Sequence, residues 1–440
     1  MPEASRFSIP TLGDATFLSP LELSKVRGDN IYNFVHDEDR WVYDLSLQEF
    51  QRCLNEGEEP LCLEKAGPRE HLYFDPSTTK AAIVTCGGLC PGINNVIRGI
   101  VMALSYFYGV REIVGVRYGY EGLNPAFGHE LLPLEPNTVK DIHQFGGTFL
   151  GSSRGAQPVD VMVDTLEREG INVLFGIGGD GTLKGLNAVA EEIKRRKLPI
   201  SIAGIPKTID NDIDLIDKSF GFETSFDIAN PILRDAHNEA SGAYNGVAII
   251  KLMGRDSGFI AASAALAQPV VNFVLIPELD FKLRGKDGFL DHLERRLQHK
   301  KHAVVVVAEG AGQHLFEAAE STTDASGNVQ HKDIGVYLKE VIGEHFKKAQ
   351  IPVTVKYIDP SYIIRSAAAN SGDSVFCSSL AYHAVHGALS GKTQFVVGKV
   401  NNRFCYLPIS EVVQKRRKID LEGEFWFSVL QSTGQPFTMG

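Results

Sequence analysis

The sequence predicts an α/β protein with two similar domains, each built on a mainly parallel sheet flanked by helices, plus an N-terminal extension. From residue 80 onward, short apolar runs of strand length alternate with helix-like stretches. Several of these runs end directly in glycine-rich turns. Near-continuous apolar strands separated by helices are typical of parallel sheets that are covered on both faces. The 440 residues also exceed what one ordinary core holds.

The predicted strands and helices alternate along most of the chain after residue 80. Strands are expected at 81–85, 113–116, 173–177, 202–205, 247–252, 273–276, 303–308, 353–357 and 394–397. Helices are expected at 94–106, 160–169, 183–196, 224–239, 289–298, 335–346 and 373–389. In such folds ligands bind at the carboxyl ends of the strands, so the residues after each strand are the candidates for function.

The N-terminal residues 1–75 differ in composition from the rest of the chain. They are polar, carry acidic clusters at 36–40 and 56–59, and show no long periodic helix. We interpret them as an extension wrapped on the body. The two domains are expected to comprise 76–225 with about 366–400, and 226–365 with about 401–440. A polar stretch at 320–332 is predicted to be a surface loop.

Composition and charge exclude several classes of protein. A net charge of −10 argues against a nucleic-acid partner, which would favour a basic surface. The apolar runs are of strand length and too short to cross a membrane, and the first residues do not resemble a secretory signal. Six cysteines in 440 residues do not suggest a disulfide framework. A soluble, cytoplasmic protein is expected.

The first glycine-rich loop follows the strand at 81–85 and reads TCGGLCPGINN. Glycines there would let main-chain amides approach a phosphate at the following helix N-terminus. A tight strand-to-helix turn explains the segment equally well. A metal site at Cys86 and Cys90 is disfavoured because no second pair of ligands follows at the required spacing.

The second loop, GIGGDGT at 176–182, matches the dinucleotide pattern G-x-G-x-x-G, but that match is weak. The acidic residue required near the end of the next strand is absent, and Lys207 follows that strand instead. Asp180 would repel a pyrophosphate unless a cation lay between them. The loop is better interpreted as a phosphate loop whose Asp180 holds Mg²⁺. Because GGDG loops also occur in lipid and NAD kinases, this motif indicates phosphoryl transfer without naming the substrate.

The third loop, PKTIDND at 206–212, places two carboxylates two residues apart after an apolar strand. One carboxylate can accept a hydroxyl proton while the other lies near a metal. A solvated turn is the alternative, which the preceding strand and the inserted Thr-Ile pair make less attractive.

Seven segments in order resemble the 6-phosphofructokinase family: GGLCPGIN, GGTFLGSSRG, GGDGT, PKTIDND, MGRDSG, AEGAG and YIIR, between residues 87 and 365. The resemblance extends from about residue 80 to 400. The N-terminal extension resembles the long-chain branch, which includes the trypanosome enzymes and the pyrophosphate-dependent enzymes.

The resemblance implies an ATP- and Mg²⁺-binding domain formed by 76–225 with 366–400. Asp180 would be the Mg²⁺ residue, and Arg154 would also offset charge in the transition state, a use that suits a rigid guanidinium group. The residues implied around the donor phosphates are Gly88, Arg154, Gly155, Gly179, Asp180, Gly181 and Thr182.

The other domain would bind the sugar phosphate. Asp210 would act as general base toward the 1-hydroxyl of fructose 6-phosphate, with Thr208 as a further catalytic residue, while Asp212 would help to organise the metal and phosphates. Tyr362, where short-chain members carry histidine, and Arg365 would hold the 6-phosphate. The implied substrate residues are Thr208, Ile209, Asp210, Met253, Gly254, Arg255, Glu309, Tyr362, Ile363, Ile364 and Arg365.

Two positions bear on the phosphoryl donor. Pyrophosphate-dependent members carry Asp where this chain has Gly181, and Lys where it has Lys207, whereas short ATP-dependent members carry Gly at both. An Asp beside the α-phosphate would add about 4 kcal/mol of repulsion at ~4 Å in an effective dielectric of about 20. Gly181 therefore favours ATP, and Lys207 is compatible with either donor.

The predicted function is an ATP-dependent 6-phosphofructokinase acting in glycolysis, with ATP and fructose 6-phosphate as ligands. One alternative is a pyrophosphate-dependent phosphotransferase; another is a non-catalytic subunit, which would have lost residues such as Asp180 and Asp210. A lipid or NAD kinase would not explain PKTIDND or YIIR. The family implies a homo-oligomer, either dimer or tetramer, and leaves allosteric activation by AMP open.

Overall fold

The structure is a computed structural model and describes residues 6–316 and 331–440. Most of the predicted surface loop at 320–332 lies outside these residues. Within them the chain divides into two compact units. The first unit takes its residues from Met1–Thr208, Ile213–Phe220 and Ala367–Arg416. The second takes them from Ile209–Asp212, Gly221–Ser366 and Arg417–Gly440.

The first unit is built around a nine-stranded sheet of described residues, in the order β2-β3-β15-β14-β9-β8-β5-β6-β7. The five strands from β14 to β6 are parallel, and antiparallel strands extend the sheet on both sides. The strands are β2 (Arg40–Val42), β3 (Cys62–Lys65), β5 (Lys80–Thr85), β6 (Glu112–Val116), β7 (Leu132–Pro133), β8 (Val173–Gly178), β9 (Ser201–Pro206), β14 (Phe395–Val400) and β15 (Arg403–Pro408). A separate two-stranded sheet pairs β1 (Phe17–Leu18) with β4 (His71–Leu72).

Helices cover the sheet of the first unit, which confirms the predicted α/β class. The helix from Asp180 to Arg196 contributes the buried residues Leu183, Leu186 and Val189 to the core. Two other helices pack closely, since a Cβ on Gly99 would lie 2.7 Å from Ala381 Cβ. The helices are α1 (Leu47–Glu56), α2 (Ile93–Met102), α3 (Pro136–Val139), α4 (Val159–Arg168), α5 (Asp180–Arg196), α11 (Ser371–Leu389) and α12 (Ile409–Val412).

The N-terminal residues are joined to the body of the first unit. Strand β3 pairs with β15, so the extension widens the main sheet. Buried Arg69 binds Glu64 at 2.8 Å, and Lys392, from the other end of the unit, binds Glu64 at 2.7 Å. These residues also contain the helix α1, which is capped by Ser46 and which the sequence did not predict.

The second unit holds a four-stranded parallel sheet of described residues, in the order β11-β12-β10-β13. Its strands are β10 (Gly246–Leu252), β11 (Phe273–Leu275), β12 (His302–Ala308) and β13 (Thr354–Ile358). Its helices are α6 (Phe222–Ser241), α7 (Phe259–Ala267), α8 (Phe289–Lys300), α9 (Ile334–Lys348), α10 (Ser361–Ser366) and α13 (Glu424–Thr433). No helix in the described parts of either unit combines the length and apolar character needed to cross a bilayer.

Candidate active site

Three loops meet at one edge of the sheet in the first unit. Strand β8 lies between β5 and β9, with Thr85 opposite Ile177 and Gly178 opposite Pro206. Because these strands are parallel and in register, the residues that follow them emerge at the same edge. The structure thereby brings together the loops that contain Gly88, Asp180 and Lys207.

Two cations converge on the first of these loops. The ammonium group of buried Lys207 donates to the main-chain oxygen of Gly88 at 2.6 Å. A Cβ built on Gly88 would lie 3.5 Å from the guanidinium Nη2 of Arg154. Gly155, the next residue, is exposed and adopts a φ of 105°. This set of positive charge and exposed main chain is suited to anionic ligands.

The start of helix α5 is the second part of this site. Gly178 must be glycine because a Cβ there would lie 2.2 Å from the hydroxyl of Thr182. Thr182 is buried, and its main-chain oxygen accepts a hydrogen bond from Tyr120 at 2.6 Å. A Cβ on Gly181, by contrast, would meet no atom within 4 Å. The protein itself therefore leaves space at Gly181.

Asp180 is the first residue of α5, where the helix dipole favours a negative charge. Its Oδ2 atom pairs with Lys184 at 2.9 Å and with Arg416 at 3.8 Å. Oδ1 makes no hydrogen bond or ion pair with the described residues. No cluster of three or more metal-ligating side chains occurs in the described chain. The site fits a Mg²⁺ ion that is held by one carboxylate together with phosphates of a ligand.

The residues implied for the sugar phosphate, apart from Thr208, belong to the second unit. Strand β10 ends opposite the end of β12, with Leu252 paired to Ala308, and β13 runs parallel on the other side of β10. The segments that follow these strands contain Arg255, Glu309 and Arg365. Because these strands are parallel and in register, the segments that contain the three residues emerge at one edge of the four-stranded sheet.

Close backbone contacts fix the turn that contains Arg255. Gly254 has a φ of 141°, and a Cβ there would lie 2.3 Å from Ser257 O. Arg255 itself lies in the left-handed region with a φ of 48°, and its N–H donates to Glu309 Oε1 at 2.9 Å. A Cβ on Gly310 would be 1.9 Å from Arg255 O. The turn and the carboxylate of Glu309 therefore hold each other in place.

Asp210 is a titratable group whose pKa this environment shifts strongly. The Ser257 hydroxyl donates to its main-chain oxygen at 2.9 Å. Burial, followed by the negative charges of Asp212 and Glu309, raises the pKa of Asp210 to about 7. The nearby cations Arg255 and Arg365 oppose this rise in the pKa. A carboxylate with a pKa near neutrality can accept and release protons under physiological conditions.

The remaining predicted residues differ in accessibility. Tyr362 is 85% exposed and Ile363 is 64% exposed. Ile209, Met253 and Ile364 are buried. Thr208 ends a segment of the first unit, and its main-chain oxygen accepts a hydrogen bond from Ser219 at 2.7 Å.

Several residues that support these sites were missed by sequence reasoning. Lys184 could have been found, because it follows Asp180 by one helical turn. Arg416 carried no signal, because it lies far from Asp180 along the chain. The ammonium group of Lys251 forms ion pairs with Asp333 at 2.7 Å and with Asp359 at 2.9 Å. No sequence motif indicated these contacts.

Comparison with solved structures identifies the class of fold. A crystal structure of a pyrophosphate-dependent phosphofructokinase from Marinobacter aquaeolei aligns with a TM-score of 0.66 and 21% identity. The alignment covers 82% of this chain and 92% of that chain. The fold is therefore the α/β fold of phosphofructokinases.

Comparison of sequences identifies the family. The phosphofructokinase family model matches residues 80–388. An ATP-dependent 6-phosphofructokinase from Borreliella burgdorferi is 49% identical over 98% of this chain and 97% of its own length. Another protein of that name, from Amycolatopsis methanolica, is 50% identical over 86% of this chain and 83% of its own length. The chain belongs to the phosphofructokinase family, as its motifs predicted.

Proposed function

We propose that this chain is an ATP-dependent 6-phosphofructokinase that converts D-fructose 6-phosphate to fructose 1,6-bisphosphate in glycolysis. The observation that carries the proposal is its 49% identity, over 98% of the chain, to a relative of that activity. Gly181, which leaves space at the start of α5, supports ATP as the donor.

The first unit would bind the donor. Lys207 and Arg154, around the main chain of Gly88, would offset the negative charge of the phosphates. The amides at 179–182 would face phosphate oxygens at the positive end of the helix dipole. Asp180 would hold Mg²⁺ through Oδ1, and the ion would offset charge on the transferred phosphoryl group.

The second unit would bind the sugar phosphate and remove its proton. Arg365 and Tyr362 would hold the 6-phosphate, and Glu309 would accept hydrogen bonds from sugar hydroxyls. Asp210 would take the proton of the 1-hydroxyl while that oxygen bonds to the γ-phosphorus of ATP and the bond to ADP breaks. The raised pKa of Asp210 supports this role, because a base with a pKa near 7 is a stronger proton acceptor than an ordinary carboxylate.

A donor assay tests the proposal directly. The purified chain is supplied with Mg²⁺, fructose 6-phosphate and either ATP or pyrophosphate, and fructose 1,6-bisphosphate is measured. Product is expected with ATP at a rate that far exceeds the rate with pyrophosphate. The second candidate is the pyrophosphate-dependent enzyme, because members with that donor also carry lysine at the position of Lys207, although this residue is compatible with either donor. Product with pyrophosphate alone would establish that alternative, and no product with either donor would reject both.

Lys251→Met is expected to raise the KM for fructose 6-phosphate by about tenfold or more. Lys251 binds Asp359, whose carboxylate accepts the Ser361 N–H at 3.0 Å at the start of helix α10. Burial of Lys251 opposes its protonation, but its hydrogen bonds to Asp333 and Asp359 raise its pKa above the ordinary value. Loss of this charge would therefore misplace the helix that contains Tyr362 and Arg365.

Lys356→Met is the matched control for this prediction. Lys356 lies on neighbouring strand β13, is half-exposed and pairs with Glu239 at the surface. Its replacement is expected to leave the KM for fructose 6-phosphate and the KM for ATP unchanged. If the two variants behaved alike in steady-state kinetics, or if Lys251→Met affected ATP as strongly as the sugar, Lys251 would not position the sugar site.

We further propose a cytoplasmic homo-oligomer, either a dimer or a tetramer, with the family as the only support for assembly. At the position of Gly246, short-chain members carry an arginine that binds the 6-phosphate in the site of a neighbouring subunit. A Cβ at Gly246 would lie 2.1 Å from Ala240 O, so this position cannot carry an equivalent side chain. Sedimentation analysis of the purified chain would distinguish the two assemblies.

A further inference from the structure

Two cations from different parts of the first unit share one oxygen of Asp180. Lys184 comes from the same helix, one turn further on, and reaches Oδ2 at 2.9 Å. Arg416 comes from the segment after helix α12 and lies 3.8 Å from the same atom through Nη2. The pair formed by Lys184 is the shorter one, but the side chain of Lys184 is 57% exposed and that of Arg416 only 28%. Solvent therefore screens Arg416 less.

The backbone of Arg416 is held in place within the first unit. Arg416 forms an antiparallel bridge with Ile213, directly after the PKTIDND segment. Because the bridge to Ile213 holds its backbone, Arg416 loses less conformational freedom on contacting Asp180 than an arginine on an unpaired loop would.

Both cations contact Oδ2, so they restrict the rotation of the Asp180 carboxylate and leave Oδ1 for a further ligand. They also offset the negative charge that Asp180 would present to an incoming polyphosphate. Both effects would favour binding of Mg²⁺ with a polyphosphate. The fixed carboxylate holds the ion in its preferred geometry, and the offset charge reduces repulsion of the phosphates.

We propose that Arg416 is a positioning residue for the donor site, which orients Asp180 toward Mg²⁺ and lowers its repulsion of the donor phosphates, with Lys184 as a weaker second support. The inference rests on the proposed function in so far as Asp180 serves a magnesium–nucleotide donor. It adds a residue outside the motifs that define the family resemblance.

The test is the affinity of the free enzyme for MgATP, measured by calorimetry on the whole chain without sugar phosphate. Arg416→Gln is expected to weaken this affinity by about fivefold to tenfold. Lys184→Gln is expected to weaken it by less than about threefold, because its ion pair is exposed. The KM for fructose 6-phosphate should change less than about twofold in either variant.

Lys415→Gln is the matched control. It removes the same charge from the residue next to Arg416, and the side chain of Lys415 is 76% exposed. It should bind MgATP like the wild type. Arg416→Lys, which retains the charge but loses the planar fork, should give an intermediate affinity and serves as the test if Arg416→Gln does not fold. Wild-type affinity in Arg416→Gln, or an equal loss in Lys415→Gln, would overturn the inference.

Failure of the proposed function would be recognised separately. It would appear in the wild-type chain, as an absence of ATP-dependent phosphorylation of fructose 6-phosphate. Failure of the inference would appear only in the comparison of MgATP affinities between the variants and the wild type.

Discussion

Asp210→Asn is expected to lower turnover with ATP and fructose 6-phosphate by about 10²–10⁴-fold while the KM for the sugar changes little. Asparagine has nearly the same shape as aspartate but cannot accept the proton of the 1-hydroxyl. The contact of Asp210 with Ser257 uses the main-chain oxygen, so the substitution leaves it intact. Steady-state rates at saturating substrates measure the effect. Unchanged turnover would exclude Asp210 as the base.

The same variant should also differ in stability, which gives a readout independent of catalysis. The pKa of Asp210 is raised to about 7 in the folded chain, from an ordinary value near 4 in the unfolded chain. Its contribution to stability is therefore present below about pH 4 and is lost as the pH rises to about 7. Since asparagine does not ionise, Asp210→Asn should unfold at a higher temperature than the wild type at about pH 8. An equal or lower midpoint there would contradict the raised pKa.

Gly181→Asp is the second substitution with a large expected effect, a loss of kcat/KM for ATP by about 10²–10³-fold. The added carboxylate would lie at the start of α5, where the donor phosphates are proposed to bind. A Cβ at Gly181 meets no protein atom within 4 Å, so the chain itself should accommodate the side chain. The loss would then arise from repulsion between the carboxylate and the donor.

Gly181→Asn separates charge from size. Asparagine has nearly the volume of aspartate without the charge, so it should retain more ATP activity than Gly181→Asp. Equal losses would assign the effect to steric exclusion of the nucleotide alone. If Gly181→Asp used ATP as well as the wild type does, Gly181 would not determine the choice of donor.

The buried parallel strands were the most predictable part of the fold. The strand expected at 173–177 is Val173–Gly178, and the helix expected at 183–196 is Asp180–Arg196. Long apolar runs and clear helical periodicity determine such elements locally. The helix expected at 94–106 is regular only over Ile93–Met102, and a π-helical turn follows at Ala103–Phe107. Periodicity alone cannot detect that change in hydrogen bonding.

Contacts between distant segments were not predictable from the sequence. The N-terminal residues looked too polar for a core, yet β3 pairs with β15, and Glu64 is buried because Arg69 and Lys392 both neutralise it. The pairing of Arg416 with Asp180 likewise depends on where the chain returns after helix α12. Motifs therefore indicated the candidate catalytic residues, while the residues that support them could be identified only from the structure.

The pH dependence of kcat/KM for fructose 6-phosphate, at saturating MgATP, tests the central claim most directly, because this ratio reports the pKa of groups in the enzyme free of sugar. Wild type should lose activity below about pH 7, approaching tenfold per pH unit, because protonated Asp210 cannot act as a base. The residual activity of Asp210→Asn should lack this decline, which separates it from ionisation of the substrate. A wild-type profile that stays level well below pH 7, or a decline that Asp210→Asn shares in full, would contradict the account.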